Sequence, residues 1–461
     1  MKIYSLYGAG FYYIPGTDTC IKIGGFMRAE VNFNANGSYA PYLQVNFDNI
    51  DTNRYYTRVR GLISFDVRSQ TEYGTLRAYL DMSMQDNNGN LAGGTPYFQG
   101  QAGYANAGFV QFAGFTAGKT ISFFDFDGQP YSNQTNFWDS NQGGNGIPVF
   151  AYTAQFGNGF SASLSAESQI VRRTTIIGTL PTTIAPSAAP ITLGDGYGQA
   201  SWPDIVGNLR VDQAWGSAQI MGAIHNVNSG YFTAGVPGTG SPGMATGWAL
   251  GAGFKFNLPM LGKGDYVLAQ FTYGVGAMNY VASGDNDAQT ASNADGLNFL
   301  TMQNGAGVIN GGATTLTTGF GPLADAVYGS AASGVGLQLT SGWSITGGYE
   351  HFWMPNLKTS LFGSYGEIDY NGAASQMLSC AVGIAGCAGS ADWSLWQIGS
   401  RTVWTVVPNL DLSVEVMYQS LSSAFSGLAS TQTSGGRAVY GVFDDKDWVS
   451  GMVRVQRNFY P

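Results

Sequence analysis

The residues of this 461-residue chain best suited to chemistry are arginines set singly into apolar segments: Arg28, Arg58, Arg60 and Arg77 near its start, Arg401 and Arg454 near its end. Opposite in sign are Asp125, Asp127 and Asp139, all within SFFDFDGQPYSNQTNFWD. Guanidinium charges facing carboxylates across a narrow aqueous space would set a transverse field. Such a field favours dipolar, well-hydrated solutes and hinders greasy ones. The plainer alternative is scaffolding, in which some of these arginines pair with Asp66, Asp81 or Glu415. Lys22, Arg68 and Arg457 read as charges of a vestibule or rim.

Other reactive constellations are sparse. His225 and His351 are the only histidines. A hydrolase needs a serine, a histidine and a polar group to orient it, and only His351 offers a setting for one, so no enzyme is expected. Cys380 and Cys387 enclose six residues rich in Gly and Ala, which suits a local disulfide in an oxidising compartment. Zinc is the competing reading, but neither histidine lies near a cysteine and four ligands are hard to assemble. Acidic groups at Asp285 and Asp287, and at Asp444, Asp445 and Asp447, read as solvated charge before divalent-cation sites. GVGAM and GAGFKF precede no helix and are not phosphate loops. No metal or cofactor is expected, and with a net charge of −9 and no basic run longer than Arg172-Arg173, neither is nucleic acid.

Composition narrows the class of protein that could hold these charges. Only 11% of residues are charged, against about 25% in a soluble domain. Mean hydropathy is near zero, and no apolar run approaches the roughly 20 residues of a membrane helix. Aromatics make up 14% of the chain and oppose disorder. There are 67 glycines, about twice the usual share.

Period-2 alternation supplies the missing architecture. Between Cys20 and Asn34, Ile21, Ile23, Met27, Ala29, Val31 and Phe33 alternate with Lys22, Arg28, Glu30 and Asn32. The pattern recurs at 57–69 and 75–84, then more weakly at 103–112, 115–122, 149–156, 160–169 and 217–228. It returns at 205–215, 246–258, 265–282, 335–353, 357–371, 392–407, 412–424 and 446–460. Short connections, such as Ala113-Gly114 and Gly216, alternate with long polar ones near 35–55, 86–100, 123–147, 171–204, 229–245, 283–334, 372–391 and 426–445. Sixteen strands, tight turns at one end and long loops at the other predict an all-β fold, an antiparallel transmembrane β-barrel of the bacterial outer membrane. A closed barrel satisfies every backbone group within hydrocarbon. Trp343 with Trp353, and Trp396 with Trp404, share strand faces as interfacial girdles would. A soluble β-sandwich explains neither the regular loop alternation nor the low charge. The expected division is a periplasmic segment over 1–19 and one barrel over 20–460, whose third long loop spans about 123–147. The opening MKIYSLYGAG lacks the charged and apolar regions of a signal peptide, so the chain reads as a mature form.

With the apolar face toward lipid, the polar face lines the lumen. Strands one and sixteen must be neighbours, which gathers Arg28, Arg58, Arg60, Arg77, Arg401 and Arg454 onto one arc. This geometry describes a diffusion channel first and a channel selective for sugars or anions second. A non-conducting structural or adhesin barrel remains a further alternative.

Three segments carry a resemblance: GAGFYYIPGTDTC with the following IKIGGF, FVQFAGFTAGKTISFFDF, and VRVQRNF. In these the chain resembles the alphaproteobacterial general porins, the sixteen-stranded trimeric family of rhizobial and related bacteria. The resemblance implies a homotrimer in outer-membrane lipid and lipopolysaccharide, passing small hydrophilic solutes and ions, with its third long loop folded inward as a constriction. It also implies a cysteine partner for Cys20, but Tyr4 stands where that partner belongs, so Cys20 is expected as a free thiol. Family chains usually end on an aromatic residue, whereas here Tyr460-Pro461 follow Phe459.

Overall fold

The computed structural model describes residues 7–35, 55–87, 101–126, 128–134, 136–140, 146–178, 196–232, 237–282, 299–304, 317–331, 333–382, 384–429, 433–434, 437–438 and 442–459. Sixteen barrel strands run in chain order. They are β1 (Thr19–Phe33), β2 (Tyr55–Thr71), β3 (Gly74–Asn87), β4 (Gln101–Phe112), β5 (Phe115–Thr120), β6 (Ile147–Gly157), β7 (Phe160–Glu167) and β8 (Asp204–Gln213). The second half comprises β9 (Gly216–Asn228), β10 (Met244–Asn257), β11 (Tyr266–Val275), β12 (Ser341–Met354), β13 (Leu357–Asp369), β14 (Trp393–Val407), β15 (Leu410–Ser422) and β16 (Lys446–Asn458). Each strand pairs antiparallel with the next, and β16 closes on β1 from Phe26 opposite Asn458 to Phe33 opposite Gly451. Tyr12–Tyr13 pair with Cys20 and Ile21, so a short N-terminal strand occupies the edge of β1 that β16 does not reach.

The alternation anticipated from sequence is physical. Along β14, Gln397 and Arg401 are buried toward the lumen while Trp396, Ile398 and Trp404 are exposed on the outside. Apolar side chains outside and polar ones inside are what hydrocarbon and an aqueous lumen select. No described helix is long and apolar enough to cross a membrane; the crossing is made by strands.

The hydrophobic core lies in the long loops, which meet over one end of the barrel. Trp138, Ile177, Met278, Phe320, Leu378, Trp393, Phe425 and Phe443 form one buried cluster drawn from five different loops and the strand ends beside them. Within it, α1 (Gly372–Ala381) is started by Asn371, whose side chain accepts from the Ala374 amide. The expected Cys380–Cys387 disulfide is present and ties the end of α1 to the following turn. Cys20 is unpaired and buried.

Two boundaries differ from the sequence reading by six residues or more. The strand expected over 265–282 ends at Val275, because Met278–Tyr280 form a helical turn whose side chains are buried among the loops. The strand expected from 335 begins at Ser341, since Gln338–Leu339 pair instead with Val327 and Ala326 of the preceding loop.

Candidate functional site

Register places the basic residues in rows on the lumen wall. Arg60 lies opposite Arg28, which lies opposite Gln456; one step toward the long loops, Arg58 faces Glu30, which faces Arg454. Glu30 is 3% exposed and neutralises part of this row, with Arg58 at 2.5 Å, Arg454 at 2.8 Å and Arg28 at 3.8 Å. Arg60 donates to Ser83 Oγ and to Asn106 Oδ1 on the neighbouring strands. Nearer the short turns, Arg77 and Arg68 each hold the two oxygens of Asp66, at 2.7–3.0 Å. Arg28, Arg58, Arg60, Arg77 and Arg454 therefore share a continuous stretch of wall. Arg401, on β14, lies farther round and binds Glu350 at 2.6 Å.

The described part of the β5–β6 loop, residues 121–126, 128–134 and 136–140, lies inside this barrel as a belt. Phe123 donates its amide to Glu167 of β7 and accepts from Asn208 of β8, and Phe126 donates its amide to Gln270 of β11. Asn136 donates to Thr346 of β12, Tyr131 accepts at its carbonyl from Ser360 of β13, and Trp138 donates to the Leu395 carbonyl of β14. Asn133 completes the belt. Its amide and that of Gln134 donate to Glu415 of β15, and its side-chain oxygen accepts from Arg401 and Arg454.

Glycines make room for the rings of this belt. A Cβ at Gly253, Gly348 or Gly366 would lie under 3 Å from Phe126, Tyr131 or Trp138 respectively, so each aromatic seats on a wall position that carries no side chain. Trp138 also stacks on Trp393 at 5.4 Å, which joins the belt to the loop core.

The loop carboxylates do not sit as anticipated. Asp125 is held by Arg172 at 3.1 Å with both side chains buried, and burial pushes its carboxyl up to about 7 against the pull of that guanidinium. Asp139 is 2% exposed and takes a hydrogen bond from the Gln129 amide within the loop. Asp127 lies outside the described residues. Thus Asp125 and Asp139 serve the loop's own attachment and do not supply the acidic half of a field facing β1–β3. The sequence reading also passed over Glu30 and Asn133 as site residues. Glu30 was legible as an acid alternating with Arg28 on the polar face, whereas nothing local marks Asn133.

At the mouth, His225 lies fully buried between Asp204 at 2.8 Å and the Tyr197 hydroxyl at 3.0 Å. The Tyr197 hydroxyl donates to Asp325, which also accepts the amides of Thr174 and Met278. Burial raises the Asp325 carboxyl, with His225 and these donors opposing. The network fastens the β7–β8 and β11–β12 loops together at the ends of β8 and β9. His351 sits at the opposite end, bonded to Asp265 at 2.7 Å and edge-on to Trp353. Among the described residues no group of three His, Cys, Asp or Glu is arranged to hold a metal; Asp285 and Asp287 lie outside them.

Comparison with known proteins agrees with the barrel. Porin Omp2b of Brucella suis is 27% identical over 220 residues, covering 47% of this chain and 54% of that protein. Porin Omp2a of Brucella melitensis is 28% identical over 233 residues, covering 47% and 55%. The chain thus spans about half the length of the curated relatives it matches. Among solved structures, the outer membrane channel DcaP of Acinetobacter baumannii aligns over 97% of this chain and 99% of its own, with TM-score 0.60 and 14% identity, a likeness of fold. A family model described as "Porin subfamily" matches residues 1–452, and on that match, carried by a sixteen-stranded outer-membrane barrel, the chain belongs to the porin subfamily.

Proposed function

We propose that the chain forms a water-filled channel for passive diffusion of small hydrophilic solutes and ions across the outer membrane, and that it works as a homotrimer without catalysis. The observation that carries this reading is the uneven placing of the loop belt. The hydrogen bonds that hold residues 123–140 run to strands from β7 round to β16, and the arc from β1 to β6 faces the belt across the remaining lumen. Arg28, Arg58, Arg60 and Arg77 lie on that arc. The passage is bounded by a basic wall on one side and by the loop on the other, a geometry that favours anions. Trimer assembly and contact with lipid and lipopolysaccharide rest on family membership and on the exposed apolar outer faces of the strands.

The test is single-channel conductance in a planar bilayer under a salt gradient. Ohmic steps closing in thirds, with a reversal potential displaced toward that of the anion, are expected. Folded protein that inserts without conducting would refute the channel, and a reversal potential on the cation side would refute the role of the arginines.

A further inference from the structure

On the β1–β6 arc, close to the short turns, three strands and the N-terminal segment bring together groups that the diffusion reading does not require. Register sets Arg68 opposite Arg77, Asp66 opposite Tyr79, Tyr79 opposite Phe109 and Arg77 opposite Gln111, all on the lumen face of β2, β3 and β4. Tyr79 and Phe109 stack at 5.2 Å with their planes 25° apart. The Arg77 guanidinium lies over both rings, at 5.2 and 5.3 Å. Arg68 repeats the arrangement on Phe11 of the N-terminal segment, at 4.9 Å. One carboxylate, Asp66, serves both guanidiniums, so the cluster keeps one net positive charge.

This cluster has the properties of a binding site. Both arginine side chains are 27% exposed, Tyr79 and Phe109 are half-buried, and the belt of residues 123–140 is fastened elsewhere. Arg68 commits Nε and Nη2 to Asp66, while its Nη1 makes no hydrogen bond to a described residue. A guanidinium edge binds a carboxylate well, and a stacked ring pair with a cation held over it offers a flat surface to a third ring.

Resting on the channel reading, we propose that this cluster binds aromatic carboxylates in transit, with the carboxylate on Arg68 and the ring against Tyr79 and Phe109. A small aliphatic anion satisfies only the charge, a neutral aromatic only the rings, and a benzoate-like solute both. The site would slow and concentrate such solutes at the short-turn end of the passage.

The experiment is current block of the full-length protein in a planar bilayer by benzoate, compared with acetate, cyclohexanecarboxylate and benzyl alcohol. Benzoate is expected to block saturably at a lower concentration than the other three. Tyr79→Leu and Phe109→Leu, which keep bulk, should each raise its half-blocking concentration roughly 2- to 10-fold, the range of one aromatic pair. Arg68→Gln should remove the preference for benzoate over benzyl alcohol. Equal block by benzoate and cyclohexanecarboxylate, or half-block unmoved by Tyr79→Leu, would overturn the proposal and leave the cluster as wall scaffolding. Potassium chloride conductance of the same channels separates the two readings: if it is intact and benzoate block is absent, only the site fails. Saturation-transfer NMR of benzoate on the detergent-solubilised chain tests binding without current. Signal lost in Arg68→Gln supports the site, and no signal in the wild type refutes it.

Discussion

Replacing Glu30 by Gln would test the basic wall directly. Its carboxylate is packed among Arg58, Arg454 and Arg28, so the substitution removes one negative charge at nearly constant volume. At roughly 6 Å from an ion in water, one unit charge is worth about 0.7 kcal/mol. Screening over a Debye length of about 10 Å reduces that to about 0.4 kcal/mol at 0.1 M salt. The same energy enriches anions and depletes cations, so the anion-to-cation permeability ratio should rise about four-fold. The assay is the reversal potential of single channels under a salt gradient, read beside the heat-unfolding midpoint in detergent. That midpoint should fall, because breaking a buried ion pair by removing one partner costs about 3–5 kcal/mol. Asp125→Asn is the control: its carboxylate is buried beside Arg172 within the belt, and the shift should be smaller. A folded Glu30→Gln channel with an unchanged reversal potential would mean that ions do not pass along β1–β3.

Trp138→Ala should loosen the belt, since a fully buried ring seated on Gly366 and stacked on Trp393 is lost at a cost of about 3–5 kcal/mol; limited proteolysis should then cut within 121–146, and open-channel noise should increase. Opening the disulfide with Cys380→Ser and Cys387→Ser removes a short-loop crosslink worth about 2–3 kcal/mol, which calorimetry should register as a lower transition while conductance stays unchanged. Asp265, in the β10–β11 turn, is raised by burial but lowered further by hydrogen bonds from the Phe352 amide, His351 and Tyr349, for a net fall below its ordinary 3.8. A carboxyl lowered on folding stabilises fully above its ordinary value and loses that contribution as pH falls through the lowered one. Asp265→Asn should therefore reduce the unfolding free energy at pH 7, by about 1–3 kcal/mol for a buried charged acceptor, and the difference should shrink below about pH 4.

The strands were legible because one rule, lipid outside and water inside, acts on every second residue. The rule fails where that boundary ends. Residues 276–282 keep an apolar character that suits a strand, yet Met278 and Tyr280 are buried among loops and the chain turns. Inside the long loops no period exists to be read. Phe320, Trp393, Phe425 and Phe443 are far apart in sequence and meet only because their loops pack on one another. The basic arc was legible from strand order and closure, since Arg28, Arg58 and Arg454 need only register to become neighbours. The acids of the inserted loop were not. An irregular segment does not announce which side a carboxylate takes, and Arg172, the partner that settles it for Asp125, comes from a different loop.

The same distribution of partners decides where unbalanced charge remains. Under the belt, fixed groups meet at short range: Arg401 binds Glu350, and Glu415 takes loop amides. Such pairs hold the loop and present little field to the lumen, because each charge is answered within hydrogen-bonding distance. On the lumen face of β1–β3, Lys22, Arg28, Arg58, Arg60, Arg68 and Arg77 share the wall with Glu30, Asp66 and Asp81. Counted on those three strands alone, basic groups outnumber acidic ones. On the proposed channel function, selectivity is expected to follow this stretch of wall. The glycines at 253, 348 and 366 sustain it indirectly, since side chains there would push Phe126, Tyr131 and Trp138 off their seats and the loop toward that wall.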